Sequence, residues 1–136
     1  LVEAYMGVED SHIRSALEGA RNIAESPAQL VEFAIAGLAD DVARNHTRGC
    51  PFINAAAEYP EPESGVRAVV ARHREWFRSE LEQMLTGAER LDPENSAAQL
   101  VLLRDAAMVG GYLDGWERVR PAFLEAAHRA AGISPQ

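Results

Sequence analysis

The chain is predicted to be all α-helical. Apolar residues recur at three- and four-residue spacing almost throughout, and no segment alternates strictly for long enough to argue for a strand. Ser-Pro and Asp-Pro pairs stand where that rhythm restarts, as helix openings do. About six helices result. The first runs from about Val2 to Ile23, with Val2, Tyr5, Met6, Ile13, Ala16, Leu17, Ala20 and Ile23 in helical rhythm. Ser26, Pro27 and Gln29 open the second: Ser as N-cap, Pro at the first helical position, and Gln placed to complete a capping box. It carries Leu30, Val31, Ala34, Ile35, Leu38 and Val42 and is expected to stop near Gly49.

Cys50 to Tyr59 reads as a short helix with Pro51 in its first turn, ended by Pro60, Glu61 and Pro62. A long helix follows Ser64, its buried face marked by Val66, Val69, Val70, His73, Phe77, Leu81, Met84 and Leu85. Asp92 and Pro93 open a helix carrying Leu100, Val101, Leu103, Ala107 and Met108, expected to end at Gly110 and Gly111. The last helix starts near Glu117, shows Val119, Phe123, Ala126, Ala127 and Ala130, and ends at Gly132.

A length of 136 residues suits one domain with one core, and the 47% apolar share supports a packed globule. No run approaches the ~20 uncharged apolar residues of a membrane span. The opening Leu1-Val2-Glu3-Ala4-Tyr5 lacks the marks of a secretory signal, so a cytoplasmic location is expected. Cys50 stands alone, which excludes an internal disulfide and a Cys-x-x-Cys metal site; it reads as a buried small residue. The net charge is −8, and all thirteen basic residues are Arg. Such a balance opposes binding to a phosphate backbone by these residues themselves.

Two Glu-x-x-His pairs, Glu9 with His12 and Glu125 with His128, match the spacing of di-metal helical bundles. Glu125 and His128, however, fall opposite the Phe123, Ala126, Ala127 and Ala130 stripe, on the face expected to be solvated. Glu9 and His12 lie in a polar break of the first helix. No metal, cofactor or catalytic residue is expected, since Ser11, Ser26, Ser64 and Ser96 sit where Ser caps helices and no Gly-rich loop follows a strand. His73, Phe77, Glu80 and Met84 share one face of the long helix, with Trp76 on its flank. Two readings of His73 stand side by side: an anchor in a mostly apolar ligand pocket, or a satisfied core histidine. Glu80 reads more readily as a solvent-edge residue. Phe33, Met108 and Tyr112 are further candidate walls, though such residues are more often plain core, and Phe52 is a candidate contact too.

The segment holding Gly49, Cys50, Phe52, Asn54, Ala55, Ala56, Ala57, Glu58 and Tyr59 is followed by His73, Trp76 and Phe77. Helices from Gln99 to Ala107 and from Glu117 to Ala131 come next. This order resembles the regulatory region of tetracycline-repressor (TetR)-type transcriptional regulators over nearly the whole chain. The resemblance implies a TetR-like C-terminal regulatory domain, with residues 1–136 as a ligand-binding and dimerisation unit. Its last two long helices would pair with those of a second copy in a four-helix bundle, through Leu100, Leu103, Ala107, Gly111, Phe123 and Ala127. It also implies a homodimeric repressor with a small, largely apolar effector, for which the residues themselves nominate His73, Phe77, Trp76, Phe33, Met108, Tyr112, Phe52 and Glu80 as contacts. DNA would be met only through a helix-turn-helix headpiece, which the family carries ahead of the position Leu1 occupies. The alternatives are a di-metal carboxylate enzyme and a free-standing helical interaction module.

Overall fold

The structure, a computed structural model, describes residues 2–45, 47 and 50–134. Among them are six helices and no strand: α1 (Val2–Ile23), α2 (Pro27–Asn45), α3 (Pro51–Glu58), α4 (Gly65–Gly87), α5 (Pro93–Asp114) and α6 (Trp116–Ala131). The Gly49 stop expected for α2 lies outside the described residues.

The helix boundaries follow local chemistry. Ser26 Oγ accepts from Gln29 N–H at 3.0 Å, and Gln29 Oε1 in turn accepts from Glu25 N–H at 2.6 Å. The capping box therefore closes one residue earlier than the standard pattern. Ser64 Oγ takes Arg67 N–H at 3.1 Å and Asp92 Oδ1 takes Asn95 N–H at 3.3 Å, each satisfying a donor that a helix start leaves unpaired. Ser64→Ala is therefore expected to cost about 1 kcal/mol, read as a lower urea midpoint at unchanged slope. Gly132 ends α6 in the left-handed region at φ 67°, as the sequence suggests.

One boundary differs. Gly110 and Gly111 do not end α5, which continues to Asp114 and stops at Gly115, whose φ of 92° admits little but glycine. Gly110 serves packing instead: a Cβ there would stand 3.4 Å from Val119 of α6. That close approach draws α5 and α6 into the most extensive helix pair of the fold.

Helix α2 touches α1, α4, α5 and α6, and α4 lies against α1, α2, α3 and α5. Between them the core gathers Ile35, Val42, Leu81, Leu85, Leu100, Met108 and Ala127. In contrast α1 buries only Met6 and Leu17, while α4 buries seven residues. Polar ties compensate: Asp10 and Arg21 of α1 bond His73 and Glu80 of α4, and His12 accepts from Arg44 of α2. A helix held this way opens at lower cost than one anchored by apolar burial.

Candidate functional site

Three polar or charged residues are buried among those described: Asp41 at 7% exposure, His73 at 4% and Arg104 at 4%. They come from α2, α4 and α5, yet all three line one cavity of about 70 Å³ beneath α1. Its other walls are Ile13, Ala16, Leu17 and Ala20 of α1, Phe33, Ala34, Gly37 and Leu38 of α2, and Phe77 of α4, with Arg44 at the edge. Mostly apolar walls with a few fixed polar groups are what a small-molecule site is built from.

Each polar group is held. Arg104 donates through Nε to Asp41 Oδ2 at 2.9 Å, its Nη2 lies 2.6 Å from the same carboxylate, and Nη1 reaches Cys50 Sγ at 3.4 Å. Burial works against the Arg104 charge, but the Cys50 sulfur and the Asp41 carboxylate outweigh it and hold its pKa above the ordinary arginine value. The other Asp41 oxygen, Oδ1, accepts from Asn45 at 2.9 Å. Beyond Arg104, Asp105 forms a two-pronged pair with Arg74 at 3.0 and 2.7 Å, so a string of charges ties α2, α5 and α4.

His73 is fixed on two sides. Its ring stacks on Phe52 with centroids 3.7 Å apart and planes 1° from parallel. Its Nδ1 lies 2.7 Å from Asp10 Oδ1, and Asp10 is also bonded by Arg14 at 2.6 Å, whose guanidinium covers Trp76 at 4.0 Å. Burial lowers the His73 pKa by more than its Asp10 bond raises it. For Asp10, burial pulls upward, but the His73 and Arg14 bonds prevail and keep its pKa below 3.8.

These directions set a pH dependence. As pH falls below 6.5, the unfolded chain protonates His73 before the folded chain does, so the His73 contribution to stability is constant above that point and declines below it. The window extends down to the lowered folded value. The groups acting on His73 there are Asp10 of α1, Arg104 of α5 and Asp41 of α2. The His73 contribution to the slope is expected to reach at most about 1.4 kcal/mol per pH unit. Urea unfolding between about pH 7 and about pH 5 should show that loss in the parent and a shallower one in His73→Phe.

Among the described residues, no group of three or more His, Cys, Asp or Glu side chains could hold a metal ion. Glu125 is exposed and bonds Arg129, as expected for a solvated face. His128 is not on that face: its Nδ1 lies 2.7 Å from the Leu124 carbonyl and its Nε2 3.2 Å from Glu32 of α2, which fastens α6 to α2. No helix among the described residues is long and apolar enough to cross a membrane.

The family model for the tetracyclin repressor-like C-terminal domain matches residues 28–131. The chain belongs to the TetR family. Among solved structures, a TetR-family transcriptional regulator from Streptomyces coelicolor is 31% identical and superposes with a TM-score of 0.88. The match covers 96% of this chain and 69% of that one. No curated protein matches by sequence.

Within this TetR regulatory domain, the residues expected at a ligand site fall into three groups. His73, Phe77 and Phe33 line the cavity. Phe52 and Trp76 do not face it; Phe52 backs His73, and Trp76 flanks it with ring centroids 6.1 Å apart. The others lie elsewhere. Met108 and Tyr112 border a separate groove with Cys50, Ile53 and Asn54, and Glu80 is paired with Arg21 outside the cavity. Asp41, Arg104 and the α1 wall were missed. Their signal was charge inside an apolar stripe: Asp41 follows Ala34 and Leu38, and Arg104 falls between Leu100 and Met108, at helical spacing.

The residues expected to pair with a second copy lie mostly in the interior of this chain. Leu100, Ala107, Gly111, Phe123 and Ala127 are buried inside this chain, leaving only Leu103 of the expected set partly accessible. The reason is that α5 is apolar on two sides. Its inner stripe packs the core, while Leu102, Val109 and Leu113 form a second stripe at 66, 53 and 70% exposure, with Tyr112 at 64% beside it.

Proposed function

We propose that this chain is the effector-binding and dimerisation core of a transcriptional repressor in the cytoplasm. The observation that carries the reading is the gathering of Asp41, His73 and Arg104, the buried polar residues among those described, around one apolar cavity beneath α1.

In this reading a small, largely apolar molecule enters between α1, α2 and α4. The cavity is smaller than the ~300–1,000 Å³ of ordinary ligand sites, so entry requires α1 to move outward. The few buried side chains of α1 and its polar ties to α4 favour that motion. A ligand that binds the open position better shifts the population towards it, and α1 passes the displacement to a DNA-binding headpiece outside these 136 residues. Two such headpieces in a dimer would read major-groove turns about 34 Å apart.

The second copy docks on the outer stripe of α5, Leu102, Val109 and Leu113, with α6 beside it. Exposed apolar rows of this length mark contact surfaces, and a two-fold pairing of α5 and α6 closes a four-helix bundle. Sedimentation is expected to give twice the 14.8 kDa chain mass, and Leu113→Asp is expected to halve it. A monomeric parent chain would refute the dimer. For the effector, native mass spectrometry of gently purified chain should find a stoichiometric small molecule or its release on heating. A chain that takes up no apolar compound under any condition contradicts the reading.

A further inference from the structure

Resting on the effector reading above, we infer that the cavity selects an uncharged ligand that donates a hydrogen bond, a hydroxylated hydrophobe, through Nε2 of His73. The polar groups in the wall differ in what each has left to offer. The Asp41 carboxylate accepts from Arg104 and Asn45 through its two oxygens, and Arg44 approaches it at 3.8 Å. Arg104 directs Nε and Nη2 at Asp41 and Nη1 at Cys50. The two charges neutralise each other inside the protein. A carboxylate or ammonium ligand would have to pull this pair apart, leaving one buried charge without its partner.

His73 is different. Asp10 is a carboxylate, which only accepts, so the proton of the imidazole sits on Nδ1 and the bond at 2.7 Å runs from Nδ1–H to Oδ1. Nε2 is then left with its lone pair. Among the described residues nothing bonds it, although the His73 side chain is only 4% exposed and lines the cavity. Burial keeps the ring neutral near pH 7, which preserves that acceptor. Nε2 is not among the described side-chain atoms that are both sealed and unpartnered, so it stays reachable from the cavity, and a ligand that displaces water there gains by bringing a donor of its own. The stack on Phe52 and the Asp10 bond hold the ring still, so the acceptor is presented at a fixed place.

Of the remaining walls, Leu17, Ala20, Leu38, Phe33 and Phe77 offer only apolar surface to the body of the ligand, while Arg44 at the edge is engaged with His12 and faces solvent. Space limits its size. A single aromatic ring needs a cavity of about 150 Å³, roughly twice the present 70 Å³, so even one ring must displace α1.

The test is a titration calorimetry panel on this chain with three single-ring probes: phenol, toluene and benzoate. Phenol is expected to bind about tenfold more tightly than toluene, the value of one hydrogen bond, and benzoate to bind more weakly than either. His73→Phe, which keeps a ring to stack on Phe52, should remove the preference for phenol over toluene, whereas His73→Gln, which keeps an acceptor, should retain part of it. If His73→Phe fails to fold, the parent panel still decides. Equal affinity for phenol and toluene overturns the donor inference while leaving the cavity as the effector site. Tighter benzoate does the same in favour of an anion. Binding of none of the three overturns the cavity reading itself, and this inference with it.

Discussion

Arg104→Met is expected to lower stability by about 3–5 kcal/mol, the cost of leaving a buried charge without its partner. Methionine fills much of the space but removes the donors that hold Asp41 Oδ2 at 2.9 and 2.6 Å. The carboxylate stays behind at 7% exposure in an apolar wall, with Asn45 and the more distant Arg44 as its remaining partners. Cys50 Sγ loses its donor as well. The change should appear as a lower urea midpoint with little change in slope. Adding Asp41→Leu is expected to recover most of the loss, because a buried pair can often be replaced by apolar side chains at little cost although breaking it is expensive. A double variant as unstable as the single one would mean that the pair does more than neutralise itself.

Phe52→Ala is expected to cost a similar amount, about 3–5 kcal/mol, from lost burial and the cavity left behind. Phe52 is 1% exposed, yet α3, on which it sits, is only eight residues long. A helix that short has little stability of its own and is held by what it buries. The same ring is the plate against which His73 stacks, so its removal frees the imidazole to tilt and loosens the cavity's acceptor. Phe52→Leu should retain most of the stability while losing the flat stack. Comparing phenol binding by the two variants under conditions where both remain folded separates these roles.

Much of the fold was legible in the chain because caps and prolines act locally. Ser26-Pro27, Ser64, Asp92-Pro93 and Gly132 each place a boundary through bonds made within a few residues. Gly110 and Gly111 misled for a physical reason: glycine within a helix costs only about 1 kcal/mol, and close packing against Val119 offsets it. Five of the six residues expected to pair with a second copy proved to be interior because α5 is apolar on both sides, and periodicity does not say which stripe turns inward.

The cavity was half legible. His73, Phe33 and Phe77 stand out as ring-bearing residues on apolar faces. Their polar companions do not, since Asp10 meets His73, and Asp41 meets Arg104, across 63 residues of chain in each case. Only the packing of α1, α2, α4 and α5 brings them together. A charged residue at a stripe position is nonetheless a readable sign that a partner must exist somewhere. Asp41 and Arg104 are such residues.

In the proposed mechanism a ligand occupies the space beneath α1 bounded by Leu17, Phe33, Phe77 and His73. The most direct measurement is a crystal structure of this chain soaked with phenol. Density for the ring in that space, with its hydroxyl on His73 Nε2 and α1 moved outward, is the predicted result. Phenol bound only elsewhere, such as the groove beside Met108 and Tyr112, with α1 unmoved, would contradict a ligand site beneath α1.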